Sequence, residues 1–294
     1  IRQAGQQGMG QVAVTGRWST LFPNQAAALP GVVLVAPNLE KDTLVTQVLG
    51  IPQDSFDLEL LEREPIPGLR MRTRAFIKAQ DGCDNHCTFC ITRLARGHGR
   101  SRCAEAVIED VQAALRGGAQ EIVLTGVHLG SWGQDFSPRR HLGDMVRILL
   151  ADADIPRLRL SSLEPWDLDG AFFGLWQDQR LCRHLHLPLQ SGSAGTLRRM
   201  ARKTSPQAFR DLVSAARHAI PDVAITTDIL VGFPGESGAE FVESLEFVRE
   251  MGFAGGHVFT YSERPGTAAA GMTGVVPHAV RKQRGAEMRQ VLEA

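Results

Sequence analysis

The sequence predicts an α/β fold: a parallel sheet, open or closed into a partial barrel, preceded by the remainder of a small α/β domain. Three observations carry this prediction. From Ala75 onward, short aliphatic runs alternate six times with helical stretches, the rhythm of βα units. Several of those runs alternate in polarity, so each strand offers one aliphatic and one polar face. No uninterrupted apolar run nears the roughly 20 residues that cross a bilayer, and no basic-then-apolar leader opens the chain.

Residues 1–50 read as the tail of the small domain. A strand over 11–16 ends in a glycine turn, a short helix over 22–29 closes at Pro30-Gly31, and 32–35 is a second strand. Asn38 is placed to cap a helix running to Leu49. Residues 51–74, with Pro52, Pro65 and Pro67 among acidic side chains, read as a linker. The barrel is expected over 75–274, with strands near 75–80, 121–125, 157–162, 184–189, 223–230 and 256–261. Helices are expected near 104–116, 142–151, 167–178, 194–202, 206–219 and 237–250, and a helical extension over 275–294.

The strand faces carry a second message. In His184-Leu-His-Leu-Pro-Leu189 the histidines share one face, and Arg157 and Arg159 do the same one strand earlier. Ala224, Thr226 and Asp228 share a face of the fifth strand; His257, Phe259 and Tyr261 share one of the sixth. If the aliphatic faces meet the helices, the lumen is polar, whereas barrel interiors are normally filled by branched apolar side chains. A polar lumen suits a polar ligand.

Bulk properties narrow the function classes. A chain of 294 residues holds one large domain or one and a half. Its 32 basic and 32 acidic residues cancel, so any contact with nucleic acid must come from a local patch. Five cysteines, three of them clustered, do not form a disulfide framework and suit a reducing cytoplasm. The chain begins at Ile1 rather than methionine, which reads as a fragment or a processed product.

The chemistry concentrates in Cys83-Asp-Asn-His-Cys87-Thr-Phe-Cys90, just after the first barrel strand and the turn Asp81-Gly82. Three thiolates so close in one loop suit a soft metal centre: an iron–sulfur cluster, zinc or copper. On a four-iron cluster, three thiolates leave one iron open to a small molecule. A structural zinc site needs four ligands, so His86, His98 or Cys103 would have to complete it. A redox pair, Cys87-Thr-Phe-Cys90, would leave Cys83 unexplained. Cys103 and Cys182 stand alone and read as small core residues.

Cys83-x3-Cys87-x2-Cys90 resembles the cluster motif of the radical S-adenosylmethionine (SAM) superfamily. The text around it resembles the methylthiotransferases, and in particular the branch that modifies threonylcarbamoyladenosine beside the tRNA anticodon. The likeness covers nearly the whole chain. It includes Arg96-Gly-His-Gly-Arg-Ser-Arg102, Leu124-Thr-Gly-Val-His-Leu-Gly130 and Leu160-Ser-Ser-Leu-Glu-Pro165. It continues in His186-Leu-Pro-Leu-Gln-Ser-Gly-Ser193, Asp228-Ile-Leu-Val-Gly-Phe-Pro-Gly-Glu236 and His257-Val-Phe-Thr-Tyr-Ser-Glu-Arg-Pro-Gly266.

The resemblance implies a partial (β/α)6 radical SAM barrel. Cys83, Cys87 and Cys90 would ligate a 4Fe-4S cluster whose open iron chelates SAM, and reductive cleavage would yield a 5′-deoxyadenosyl radical. The activity implied is methylthiolation of an adenosine in tRNA, with flavodoxin or ferredoxin as electron donor. Sister branches imply isopentenyladenosine or a ribosomal-protein side chain as alternative substrates, and a zinc-stabilised RNA-binding module is the alternative outside enzymes.

Backbone groups at Gly126 would meet the methionine part of SAM, though an ordinary βα turn explains that glycine as well. Ser161, Ser162 and Glu164 suit ribose or ammonium recognition; alternatively Ser162 caps the next turn and Glu164 is solvated. Gln190 is a candidate cofactor contact, and Ser193 is placed to cap the helix after it. Asp228 is a further candidate and needs a partner if ionised, with His186 or Arg159 in reach. The turn Gly232-Phe-Pro-Gly235 lies beneath the adenine in the family's layout. Phe89 either shields the cluster or packs in the core.

Arg93, Arg96, Arg100 and Arg102, with His98, form a basic run suited to RNA phosphates. Arg198, Arg199, Arg202 and Lys203 read as a solvated face at a helix end. Methylthiotransferases also carry a second 4Fe-4S cluster on three N-terminal cysteines. Here no cysteine precedes Cys83, and the position expected for the third ligand is Arg17. The chain also stops at Ala294, before the small β domain with which the family helps hold RNA.

Overall fold

The computed structural model describes residues 12–50 and 73–293, so all but the last two residues of the expected linker lie outside the described part. The chain forms two compact units. One takes in residues 1–70 together with Ile91–His98; the other takes in Met71–Cys90 and Gly99–Ala294.

In the first unit, β1 (Val12–Thr15) pairs in parallel with β2 (Val32–Ala36). Between them lie α1 (Arg17–Leu21), which the sequence did not foretell, and α2 (Pro23–Ala27), shorter than expected. Pro23 opens α2, where its missing N–H is no loss. Asn38 does not cap a helix: Pro37 precedes a 3₁₀ turn over Asn38–Thr43, and the Asn38 N–H donates to Thr20 Oγ1 at 2.7 Å. Only then does α3 (Leu44–Leu49) begin, ending at the left-handed Gly50. Helix α4 (Thr92–Arg96) belongs to this unit.

The second unit alternates strand and helix. Strand β3 (Arg74–Asp81) leads to the short antiparallel β4 (Arg100–Ser101) and to α5 (Ala104–Arg116). Then come β5 (Glu121–Gly126), α6 (Leu142–Asp152), β6 (Leu158–Leu160), α7 (Gly170–Phe173) and β7 (His184–His186). Helices α8 (Ala194–Arg199) and α9 (Pro206–Ala219) follow, then β8 (Ala224–Val231), α10 (Gly238–Met251), β9 (Gly255–Thr260) and α11 (His278–Glu293). The expected helix over 167–178 is broken into two 3₁₀ turns flanking α7, where Pro165, Gly170 and Gly174 interrupt it.

Strands β3, β5 and β6 pair in parallel, as do β7, β8 and β9. A Leu158–Leu181 bridge and a Leu163 N–H bond to His186 O (2.9 Å) join the two sets. The result is a half-barrel of six parallel strands in chain order, with β9 at one edge. The aliphatic faces meet the helices: Ile77, Ile122, Leu124, Leu158, Leu185, Ile225 and Ile229 pack with Val107, Val111, Met145, Leu149, Phe209 and Phe247. Burying each of these large side chains is worth about 1.5–3 kcal/mol, so this layer dominates the stability of the unit. The polar faces are left to the lumen, as the alternation predicted. Among the described residues, no helix is long and apolar enough to cross a membrane.

Candidate functional site

The site is built at the carboxyl ends of the strands, where parallel sheets bind ligands. Gly82, with φ of 74°, turns the chain out of β3, and its N–H donates to Asp81 Oδ1 at 2.9 Å. The loop that follows is pinned at its middle. Thr88 donates from N to Met200 O (3.1 Å) and from Oγ1 to Arg199 O (2.8 Å), and accepts from Ala269 N (2.9 Å). Phe89 packs edge-on against Phe233, and Phe233 against Tyr261, in a small second core with Met200 and Ala269. Phe89 is therefore a packing residue that anchors the loop.

None of the cysteines is joined in a disulfide. Cys83 accepts from the Asn85 N–H at 3.4 Å, and Cys87 lies 3.8 Å from Arg202 Nη1. Burial pushes the Cys87 thiol up, and Arg202 partly offsets it. Among the described residues, no three Cys, His, Asp or Glu side chains converge on a single metal ion. A four-iron cluster asks for something different, since each thiolate binds its own iron at a separate corner.

Behind Cys83 stands a buried hydrogen-bonded group that the sequence did not reveal. His128 Nε2 meets Asp167 Oδ2 at 2.6 Å, and its Nδ1 lies 3.4 Å from Asn85 Nδ2. Burial opposes its charge, but bonds to Asp167 and Cys83 outweigh this and push its pKa up to about 10. Gln80 accepts from His128 N at 2.8 Å and donates to Asp81 O and Gly82 O, tying the end of β5 to the cysteine loop. At Gly126 a Cβ would press on Leu129 Cα and the Gln80 side chain at 3.0–3.1 Å. At Gly130 a Cβ would collide with the Asp167 carboxylate. Both glycines of this motif are thus required by close packing.

Ser161 N donates to Leu124 O, extending β6, while Ser161 Oγ is buried without a hydrogen-bond partner. Ser162 is exposed and caps no turn; Glu164 occupies that position. Glu164 is not solvated: it accepts from Arg202 Nη1 and Nη2 at 3.2 and 2.7 Å. Arg202 also donates to Pro188 O (2.5 Å) and lies 4.6 Å over the Trp166 ring. Arg199 is bound by Glu240 at 2.9 Å. These two are structural cations, and the reading of 198–203 as a solvated face fails for them.

Gln190 has φ of 75°, a conformation costly for a residue with a Cβ and often stored at functional sites. Its backbone bonds β8 from both sides, to Asp228 O and from Leu230 N. Ser193 stands at the start of α8 without capping it; its Oγ is buried and unpartnered. Asp228 lies between two imidazoles, His186 Nε2 and His257 Nδ1, each at 3.3 Å. Burial works against its charge, yet the His186 and His257 contacts hold its carboxyl below the usual range. His186 Nδ1 and His184 Nε2 both meet Thr226 Oγ1, at 2.9 and 3.0 Å. Arg159, the other partner considered for Asp228, pairs with Glu121 at 2.7 Å instead.

The basic run is split. Arg93, Arg96 and His98 belong to the first unit, Arg100 and Arg102 to the second. Arg102 is engaged within the protein, donating to Asp110 (2.6 Å), Lys78 O and Ala106 O. Arg100 is exposed. Arg17, at the first position of α1, is exposed as well.

Residues 77–248 match the radical SAM superfamily. This chain belongs to that superfamily. Its curated relatives include threonylcarbamoyladenosine tRNA methylthiotransferase MtaB of Bacillus subtilis, 36% identical over 94% of this chain and 63% of the relative. The Thermotoga maritima protein of the same name is 37% identical over 93% and 64%. A tRNA-2-methylthio-N(6)-dimethylallyladenosine synthase of Oceanobacillus iheyensis is 36% identical over 84% and 48%. The chain thus spans less than two thirds of the curated relatives it matches. Among solved structures, coproporphyrinogen III oxidase of Escherichia coli, a radical SAM enzyme, superposes with a TM-score of 0.57 at 15% identity, covering 81% of this chain and 55% of that one. Methylornithine synthase gives 0.53 at 15% identity over 85% and 73%. These likenesses establish the half-barrel as the radical SAM fold.

The cofactors of the superfamily are a 4Fe-4S cluster and SAM, and the residues present fit them. The donor set is three thiols on one pinned loop. Just past β6 and at the start of α8 lie two buried hydroxyls, Ser161 Oγ and Ser193 Oγ, without a hydrogen-bond partner. Buried polar atoms are rarely left so unless a ligand or water completes them. Nothing in the local residue pattern marked Asp167 or Arg202 as members of this site. Only the His128 and Gly130 of one quoted motif, and the Glu164 of another, pointed there.

Proposed function

We propose that the protein is a radical SAM methylthiotransferase that adds a methylthio group to N6-threonylcarbamoyladenosine next to the anticodon of tRNA. The observation that carries this reading is the Cys83–Cys87–Cys90 loop, pinned at Thr88 above a polar lumen, within a chain similar along most of its length to such enzymes. When bound, the cluster and SAM supply abstraction of a hydrogen atom from carbon. The protein's own residues hold, orient and exclude water. Cys83, Cys87 and Cys90 would ligate the cluster; the Gly126 backbone, Ser161, Ser162 and Gln190 would hold SAM; Glu164 acts through Arg202, which it fixes beside Cys87. Phe89, Phe233 and Tyr261 close the loop to solvent. Arg93, Arg96 and Arg100 take RNA phosphates, flavodoxin or ferredoxin supplies electrons, and the enzyme works on tRNA in the cytoplasm.

The likeness to dimethylallyladenosine synthases favours one second reading, isopentenyladenosine as substrate. Nucleoside mass spectrometry of tRNA from a deletion strain separates the two. Loss of 2-methylthio-threonylcarbamoyladenosine is expected; loss of the isopentenyl derivative would favour the second reading. Intact tRNA with an unmodified ribosomal protein would defeat both. Anaerobic reconstitution with SAM and dithionite is expected to release 5′-deoxyadenosine.

A further inference from the structure

Strand β9 has β8 on one side only, and its two faces differ sharply. Gly256, Val258 and Thr260 turn toward α11 and the core. A Cβ at Gly256 would press on Leu292 Cδ2 at 3.1 Å, Val258 packs against the main core, and Thr260 Cγ2 lies 3.0 Å from a Cβ built at Gly285. His257 and Phe259 therefore face the lumen, with ring centroids 6.1 Å apart and planes inclined at 32°. Phe259 is 50% exposed and the His257 side chain 74%. Half-exposed aromatic rings side by side on the concave face of a sheet are a stacking surface without an occupant in the chain's own core.

Polar groups border it. Asp228 pairs in register with His257, and its carboxylate holds His257 Nδ1 at 3.3 Å. With His257 Nδ1 turned to that carboxylate, Nε2 is the ring nitrogen left to meet a ligand. Asp228 has accepting capacity beyond its two imidazole contacts. Leu230 pairs with Phe259 and donates to Gln190 O at 2.8 Å, so the Phe259 ring lies level with Gln190, the strained residue at the mouth. An aromatic face bordered by acceptors suits a flat, unpaired base that carries an exocyclic N–H.

We propose that His257 and Phe259 form the platform on which the target nucleobase of an RNA substrate stacks, with Asp228 and His257 Nε2 accepting from its exocyclic N–H. This rests on the RNA-modifying reading above and names how that substrate is held. Single-stranded bases are recognised in this way, by stacking on aromatic rings and bonding at their edges. The site is distinct in kind from the basic residues, which contact phosphates and carry no base identity.

The test uses the full-length, cluster-loaded protein and an anticodon stem–loop RNA with 2-aminopurine at the nucleotide 3′ to the anticodon. Binding to wild type is expected to quench the 2-aminopurine fluorescence. Phe259→Ala is expected to abolish the quench and weaken binding roughly 5- to 140-fold, the equivalent of one lost stack of ~1–3 kcal/mol. Phe259→Trp is expected to restore both, which a merely structural role would not do at a half-exposed site. Asp228→Asn should weaken the RNA carrying the N–H more than one blocked by a second N6-methyl group. Unchanged affinity and quench in Phe259→Ala would overturn the platform while leaving the enzyme reading intact. RNA affinity that holds while SAM binding falls would assign the ring to the cofactor and overturn it too. A wild-type protein that binds no RNA at all would remove the underlying reading, and the platform with it.

Discussion

Arg202 is held by several groups at once beside Cys87. Its side chain is 2% exposed, bonded twice to Glu164 and stacked over Trp166. Removing one partner of a buried ion pair leaves the other charged without compensation, so Arg202→Ala is expected to cost about 3–5 kcal/mol. Arg202→Lys keeps the charge but loses the two-pronged bond and should recover only part of it. Anaerobic urea denaturation measures both; a loss under ~1 kcal/mol for the alanine variant would mean that Glu164 is well served by water. From the sequence alone, Arg202 looked like its neighbours at a helix end. What sets it apart is Ala201, whose φ of 52° ends the helix and turns the next side chain inward. No local pattern of residue types announces that turn.

His184 makes the second residue-scale prediction. Burial and the nearby Arg159 and His186 depress its pKa to about 4 from 6.5, and its Nδ1 is buried without a partner. Between those values the unfolded chain binds a proton that the folded one refuses, so stability falls as pH drops from 6.5 toward 4. His184→Gln cannot titrate and should flatten that part of the profile. Melting temperatures recorded across this window for both proteins decide it, and parallel slopes would refute the assignment.

At the scale of elements, the β8–β9 seam depends on one missing methyl. A Cβ at Gly256 would collide with Thr227 O, which is backbone and cannot swing aside. Gly256→Ala should therefore push β9 off β8 at a cost of about 1–3 kcal/mol, as overpacking generally does. It should also weaken RNA binding if the His257–Phe259 platform is carried on that strand. A variant as stable as wild type, by thermal and urea unfolding, would show that the seam relaxes freely. Helices with clean starts were legible in the sequence: α9 spans Pro206–Ala219 behind Ser205, whose Oγ accepts from Ala208 N, and was read to the residue. Helix α10 lies behind a Ser237–Glu240 capping box and was read within one residue. The stretch 167–178 misled, because its apolar spacing is helical while Pro165, Gly170 and Gly174 do not allow a continuous ladder. Strand β4, two residues long, is too short to show any period.

For the whole molecule, strand order followed from the βα rhythm, since such crossovers place successive parallel strands side by side. The division into units did not follow. The run 91–102 looks continuous in sequence, yet Ile91–His98 groups with the N-terminal residues and Gly99 onward with the half-barrel. The same unit carries Arg17, at the first position of α1, where the family resemblance implied a cluster-binding thiol. A guanidinium has donors and no lone pair for iron, so it cannot substitute. With the three barrel thiolates alone, the full-length protein should hold about four irons per chain, as one four-iron cluster requires. In a chain extended upstream to take in the other two thiols that the resemblance implies, Arg17→Cys is expected to raise that count, because it supplies the third soft ligand at an exposed helix start. Iron and sulfide analysis after anaerobic purification measures the change. An unaltered count would eliminate an auxiliary cluster at this position.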